Sequence, residues 1–196
     1  RFFRSRTALV GLGIVSLFAL VAILAQFLAP YNPMSMDLQN NFFPPSPEHL
    51  LGTDELGRDV LSRMIFGARY ALGLTFITVL ISAIIGLICG TIAAYFGGLL
   101  DTILMRTVDI MLAFPIFALA LALVVFLGPS MVNVVLVLAI TRVPRYARLI
   151  RGSVLSIQQR EYVEAARMIG TPDWAVIFRH ILPNSIAPII VYSTLD

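Results

Sequence analysis

Chemistry at a protein site needs a nucleophile and base, or a set of metal ligands, and this sequence is poor in both. Its 196 residues include two histidines, His49 and His180, and one cysteine, Cys89. All 14 basic residues are arginines, so neither a phosphate-loop GK[ST] nor lysine-based covalent chemistry can reside here. A single cysteine excludes an intrachain disulfide and any CxxC motif. GxSxG and HExxH are both absent. His180 has no second ligand at metal spacing, so no metal site is expected. Asp101 and Asp109 could act as paired acids only if they met. On one helix, i and i+8 lie about 12 Å apart at about 1.5 Å per residue. Two constellations remain. Arg106 and Asp109 stand at i and i+3 within an otherwise apolar stretch, and Glu164, Ala165, Ala166 and Gly170 lie amid many arginines.

The elements that must position these residues are set by apolar runs. The composition is 59% hydrophobic and 13% charged, against about 45–50% and about 25% in soluble domains. Residues 8–29 form an uncharged run of 22, the length of one membrane crossing. A signal peptide fits less well, because its core is shorter and no A-x-A site follows. Residues 71–96 form a second run, with Gly86 and Gly90 at small-xxx-small spacing, read as close packing inside the chain rather than a dimer motif. Residues 110–141 are 32 uncharged residues broken by Gly128-Pro129-Ser130, which suits two helices. The third helix is expected from Asp101 or Thr102 to about Leu127, kinked at Pro115, and the fourth from Met131 to about Ile150. Ser185–Leu195 is half a crossing, and with Arg as first residue it suggests a piece of a longer polypeptide.

Arginine placement gives the expected topology. Arg1, Arg4 and Arg6 flank the first helix, and residues 142–180 hold Arg142, Arg145, Arg148, Arg151, Arg160, Arg167 and Arg179 against Glu161, Glu164 and Asp173. Residues 30–70 hold Arg58, Arg63 and Arg69 against Asp37, Glu48, Asp54, Glu55 and Asp59. The positive-inside rule puts the N-terminus and 142–180 in the cytoplasm and 30–70 outside. That accounts for the basic charge without nucleic acid. The expected divisions are 1–29, a flank and first membrane helix; 30–70, an external segment; 71–150, membrane helices two to four; 151–183, a cytoplasmic loop; and 184–196, the start of a fifth helix.

Inside the loop, Ser156-Ile157-Gln158-Gln159 reads as a capping box opening a helix to Ile169. Gly170 takes a left-handed turn, Thr171 caps, and Pro172 starts a second short helix that closes before Pro183. Arg160 and Arg167 can pair with Glu164 along the first of these. In the external segment, Pro30–His49 reads as extended. An amphipathic helix is expected from Thr53 or Asp54, with Leu56, Val60 and Met64 on one face. It would serve either a binding protein or as a scaffold over the helix tops. Arg106 and Asp109 would form an intramembrane charge pair, or sit at headgroup level.

Glu164-Ala165-Ala166, three residues, Gly170, and then Leu182-Pro183 resemble the EAA loop of ABC-importer permeases, EAA-x3-G-x9-I-x-L-P. His180 stands where that pattern has Ile. Residues 178–184 (FRHILPN) and 51–63 (LGTDELGRDVLSR), followed by Gly67-Ala68-Arg69, are similar to the second permease subunit of dipeptide, oligopeptide and nickel importers. The resemblance covers essentially the whole chain and implies an all-α, polytopic inner-membrane bundle of the type I permease fold. It implies a transport subunit, not an enzyme, serving peptides, with nickel or glutathione as alternatives. The implied partners are a second permease, two cytoplasmic ATPases that bind ATP and Mg, an extracytoplasmic binding protein and membrane lipid. No cofactor is implied on this chain. Glu164, Ala165, Ala166 and Gly170 would then form the ATPase-docking surface, ended by Leu182 and Pro183. Tyr162 and Trp174 would be interface anchors there, or headgroup anchors. An intramembrane enzyme lacks the residues, as argued above. A proton-coupled transporter would rest on Arg106 and Asp109 alone.

Overall fold

The computed structural model describes residues 6–195, so Arg1 and Arg4 of the basic flank lie outside the described residues. The helices are α1 (Arg6–Ile23), α2 (Ala25–Leu28), α3 (Val60–Phe96), α4 (Gly98–Ala113), α5 (Ile116–Leu127), α6 (Met131–Gln158), α7 (Glu161–Met168), α8 (Asp173–Val176) and α9 (Leu182–Leu195). A π turn, Ile177–Ile181, joins α8 to α9. Among the described residues the only extended pairing is an isolated bridge, Thr53 to Asp59.

The chain divides into two compact units, residues 1–76 and 77–196. In the first, residues 30–49 are irregular apart from a 3₁₀ turn, Leu38–Asn40, as their prolines dictate. The expected helix start at Thr53 or Asp54 is not observed. Gly57 has φ +70°, which no right-handed helix contains, and the Asp54 carboxylate accepts the N–H groups of Leu56 and Arg58 in a closed turn. Leu56 therefore lies outside the helix. α3 begins at Val60, with Asp59 as its cap accepting the Ser62 N–H at 2.7 Å, and it runs without a break into the second apolar run.

The second unit has an apolar core that also takes in polar side chains, and its outer surface is apolar as well. Thr78, Ser82, Thr141 and Ser185 are buried, while Ile84, Phe117, Val125 and Phe126 are exposed. Water would disfavour such a surface, and hydrocarbon permits it. Three of these hydroxyls find backbone acceptors, Ser82 Oγ at the Thr78 and Ala139 carbonyls, Thr141 Oγ1 at Leu138 and Ser185 Oγ at Ile181, while Thr78 Oγ1 is buried without a partner. Gly86 and Gly90 account for the close approach of α3 to α6. A Cβ at Gly86 would collide with Tyr146 Cβ, and one at Gly90 would stand 2.5 Å from the Ala147 carbonyl oxygen. The small-residue spacing thus serves packing within the chain.

By length and composition α3 and the continuous stretch Asp173–Leu195 can each cross a membrane. α4 and α5 together form a third candidate, bent by 96°. The expected kink at Pro115 is therefore a sharp break: Pro115 is the cap residue of α5, and Phe114 before it is extended. The break separates α4, which holds Asp101, Arg106 and Asp109, from α5, which has no charge. α6 starts at Met131 as expected and carries Pro144 inside, but its four arginines, from Arg142 onward, leave it too charged to count among the candidate spans. It is the central post of the unit, packing on α4, α5 and α9.

Candidate functional site

α6 leads directly into the hairpin formed by α7 and α8. The capping box at Ser156 is not formed, because α6 continues to Gln158 and its apolar face buries Val154 and Ile157. Burial of that face outweighs the local capping signal. The backbone breaks at Gln159 and Arg160, and α7 starts at Glu161 with Arg160 extended as its cap residue. Neither Arg160 nor Arg167 pairs with Glu164 among the described residues. Arg160 is outside the helix, and Arg167 turns toward α3.

Gly170 closes α7 as its sequence context predicts. At φ +79° it is left-handed, its N–H donates to the Arg167 carbonyl, and the Thr171 N–H donates to the Ala166 carbonyl. Those two bonds are the Schellman arrangement, which satisfies the last carbonyls of the helix. Pro172 is the cap of α8, one residue before the helix rather than its first residue. The second arm does not close before Pro183. α8, the π turn and α9 form one continuous helix, so Leu182 and Pro183 lie inside it and do not end the hairpin. Pro183 has no N–H to donate. The wider π turn just ahead of it, where the Leu182 N–H reaches the Ile177 carbonyl, takes up the mismatch.

Val163 and Ala166 point into the core with Val154, Val176 and Ile181, while Glu164 and Ala165 face out. Of the motif residues, Glu164, Ala165 and Gly170 are thus on the surface and Ala166 is packed. The hairpin tip exposes Met168 (88%), Ile169 (83%), Trp174 (69%) and Phe178. Tyr162 is half-exposed, its ring 6.2 Å from that of His180. Met168, Ile169 and Phe178 do not figure in the sequence reading of the site. Their signal was large apolar residues beside the Gly170 turn, where a solvated loop would be polar.

Polar contacts fasten the hairpin and α6 to the preceding helices. Arg151 makes a two-pronged bond to Asp101, both contacts at 2.6 Å. Arg148 reaches Asp109 at 2.5 Å. The expected pairing of Arg106 with Asp109 is therefore replaced: Asp109 joins α6, one helix away, and Arg106 is exposed. The Tyr95 hydroxyl donates to Asp173 Oδ1 at 2.5 Å, and the Arg167 guanidinium lies 4.7 Å from the centre of the same ring.

Residues 30–70 have their own polar core. Asp54 accepts from Arg58 Nε at 2.8 Å and is also paired with Arg63. Desolvation opposes its ionisation, but the Arg58 and Leu56 N–H groups and the Arg58 guanidinium hold it down to about 2. Burial likewise opposes ionisation of Asp59, and the Ser62 hydroxyl and N–H with His49 keep it below the ordinary carboxylate range. His49 Nδ1 lies 3.0 Å from Asp59 Oδ1. Among the described residues no group of three or more His, Cys, Asp or Glu is placed to hold a metal ion.

Residues 82–196 match the family described as "Binding-protein-dependent transport system inner membrane component". The chain belongs to this family. Residues 1–45 match the N-terminal transmembrane domain of oligopeptide transport permease C. A dipeptide transport system permease protein of Alkalihalophilus pseudofirmus is 43% identical over 192 residues, covering 98% of this chain and 63% of the relative. One from Haemophilus influenzae is 40% identical over 200 residues, covering 99% and 68%. A glutathione transport system permease protein of Pectobacterium atrosepticum is 41% identical over 198 residues, covering 100% and 65%. The chain thus spans about two thirds of the length of the relatives it matches. The resemblance read from the EAA-like loop and the Gly52–Arg69 segment is borne out, as is the all-α membrane permease fold.

Proposed function

We propose that this chain is the membrane-spanning permease subunit of an ATP-driven importer in the bacterial inner membrane, passing dipeptides from an extracytoplasmic binding protein to the cytoplasm. The 40–43% identity to dipeptide permeases supports the substrate class, and the similarly close glutathione permease supports γ-linked peptides as the alternative. A second permease completes the pathway. Two cytoplasmic ATPases supply the ATP and Mg chemistry, for which this lysine-free chain has no phosphate loop. The N-terminus and the α7–α8 hairpin face the cytoplasm, and the chain crosses the membrane several times.

The observation that carries this reading is the hairpin tip. Met168, Ile169, Trp174 and Phe178 project from a segment that also holds Arg160, Glu161, Glu164 and Arg167. The charges keep the segment in water, where a protruding apolar patch fits a partner's pocket. Gly170 fixes the two arms so that the patch is presented as one rigid unit. The reading as a proton-coupled carrier loses its support, since Asp109 is engaged by Arg148 rather than free within an intramembrane pair.

The test is uptake of a labelled dipeptide together with co-purification of the ATPases. Met168→Glu and Trp174→Ala should insert normally but lose both uptake and ATPase association. ATP-driven uptake at the normal rate in Met168→Glu would refute the docking role.

A further inference from the structure

Tyr95 is the next-to-last residue of α3, and its one ring touches both arms of the hairpin. Its hydroxyl bonds Asp173, the first residue of α8, while its face lies under Arg167 in the last turn of α7. The Gly170 turn lies between those two contacts. Beside it, Ala94 of α3 adds apolar packing in the cluster with Val163 and Val176. Apolar packing holds surfaces together but is non-directional, so it permits sliding. A hydrogen bond to a carboxylate and a cation over a ring fix both direction and register.

We infer that Tyr95, Asp173 and Arg167 form a latch that locks the hairpin in register with the end of α3, so that displacement of the hairpin tip is delivered to α3 as well as to α6 and α9. Tyr95 is a positioning residue in this scheme, since it touches neither solute nor nucleotide. The inference rests on the docking role proposed above. Covalent continuity already carries hairpin motion to α6 and α9. α3 packs on α6 at Gly86 and Gly90, but its end meets the hairpin itself through side chains, and there the latch supplies the directional contact. Without it, ATP would still be hydrolysed, but α3 would follow the hairpin imperfectly and fewer solutes would cross per ATP.

The experiment measures dipeptide uptake per ATP hydrolysed by the assembled transporter in proteoliposomes. Tyr95→Phe keeps the ring and removes the hydroxyl, and Asp173→Ala removes the acceptor from an exposed position without disturbing the core. Each should lower uptake per ATP roughly three- to tenfold, as the loss of one hydrogen bond implies, with assembly and ATP hydrolysis retained. Asp173→Asn, which can still accept from the hydroxyl, should restore most of the coupling. The Tyr95→Phe, Asp173→Ala double variant should be no worse than the poorer single one. Unchanged uptake per ATP in both single variants would overturn the latch, as would additive losses in the double variant. Met168→Glu is run beside them: if it fails to assemble while the latch variants couple normally, docking stands and the latch falls. Normal transport by Met168→Glu would overturn both.

Discussion

Gly170 and Gly57 are both left-handed, at φ +79° and +70°, but they are held by different surroundings. A Cβ at Gly170 would meet nothing within 4 Å, whereas one at Gly57 would run into the backbone of Asp37. Gly170→Ala should therefore cost only the backbone term, about 1–2 kcal/mol, and Gly170→Asn less, because asparagine tolerates that conformation. Gly57→Ala adds a steric clash, so its thermal inactivation temperature in detergent should fall furthest of the three. Asp54 gives a pH prediction. Its carboxyl lies near 2 in place of its ordinary 3.8, so the turn gains stability from it above 3.8 and loses that gain as the pH falls toward 2. Pepsin cleavage within residues 53–60, normalised to an unstructured reference peptide, should rise over that window. In Asp54→Asn it should be high throughout. The Gly170 turn was legible in the sequence because it depends on residues a few positions apart. Asp54 as the hub of its turn was not, since Thr53 and Asp54 also satisfy the pattern of a helix start, and only Gly57 after them decides against it.

Among the elements, the approach of α3 to α6 rests on absent side chains. Gly86→Val should destabilise the second unit by about 1–3 kcal/mol or more, seen as a lower melting temperature and a broadened elution profile in detergent. The nearest obstructing atom is Tyr146 Cβ, with the backbone of Tyr146 and Ala147 behind it, so Tyr146→Ala, which keeps the Cβ, should not rescue the valine variant. Gly73→Ala, with nothing nearby, is the neutral control. The apolar runs made α3, α5 and α6 legible because burial in lipid depends on composition over many residues. The junctions were legible only where one residue dictates the backbone, as at Gly170 and Pro115. At Ser156 the capping signal lost to the packing of Val154 and Ile157, and at Pro183 a π turn absorbed the helix breaker. Partner choice was the least legible layer. The links Arg148–Asp109, Arg151–Asp101 and Tyr95–Asp173 join residues 39, 50 and 78 positions apart, beyond any local pattern.

For the molecule as a whole, the charge asymmetry gains weight once ion pairs are considered. Arg58 and Arg63, two of the three arginines in residues 30–70, are both taken up by Asp54. Residues 30–70 therefore offer little unpaired positive charge. In the hairpin region Arg160 and Arg179 have no carboxylate partner among the described residues and remain exposed. On the positive-inside rule this favours a cytoplasmic hairpin and an external 30–70 segment. Cys89 is the one cysteine in these 196 residues, so Cys89→Ala clears them for new reporters. Leu38 and Met168 suit that purpose because they are 69% and 88% exposed. A membrane-impermeant maleimide applied to spheroplasts should label Leu38→Cys at once and Met168→Cys only after the membrane is opened. Labelling of Met168→Cys in closed spheroplasts would place the hairpin beyond reach of an ATPase. The docking surface and the topology would then fall together.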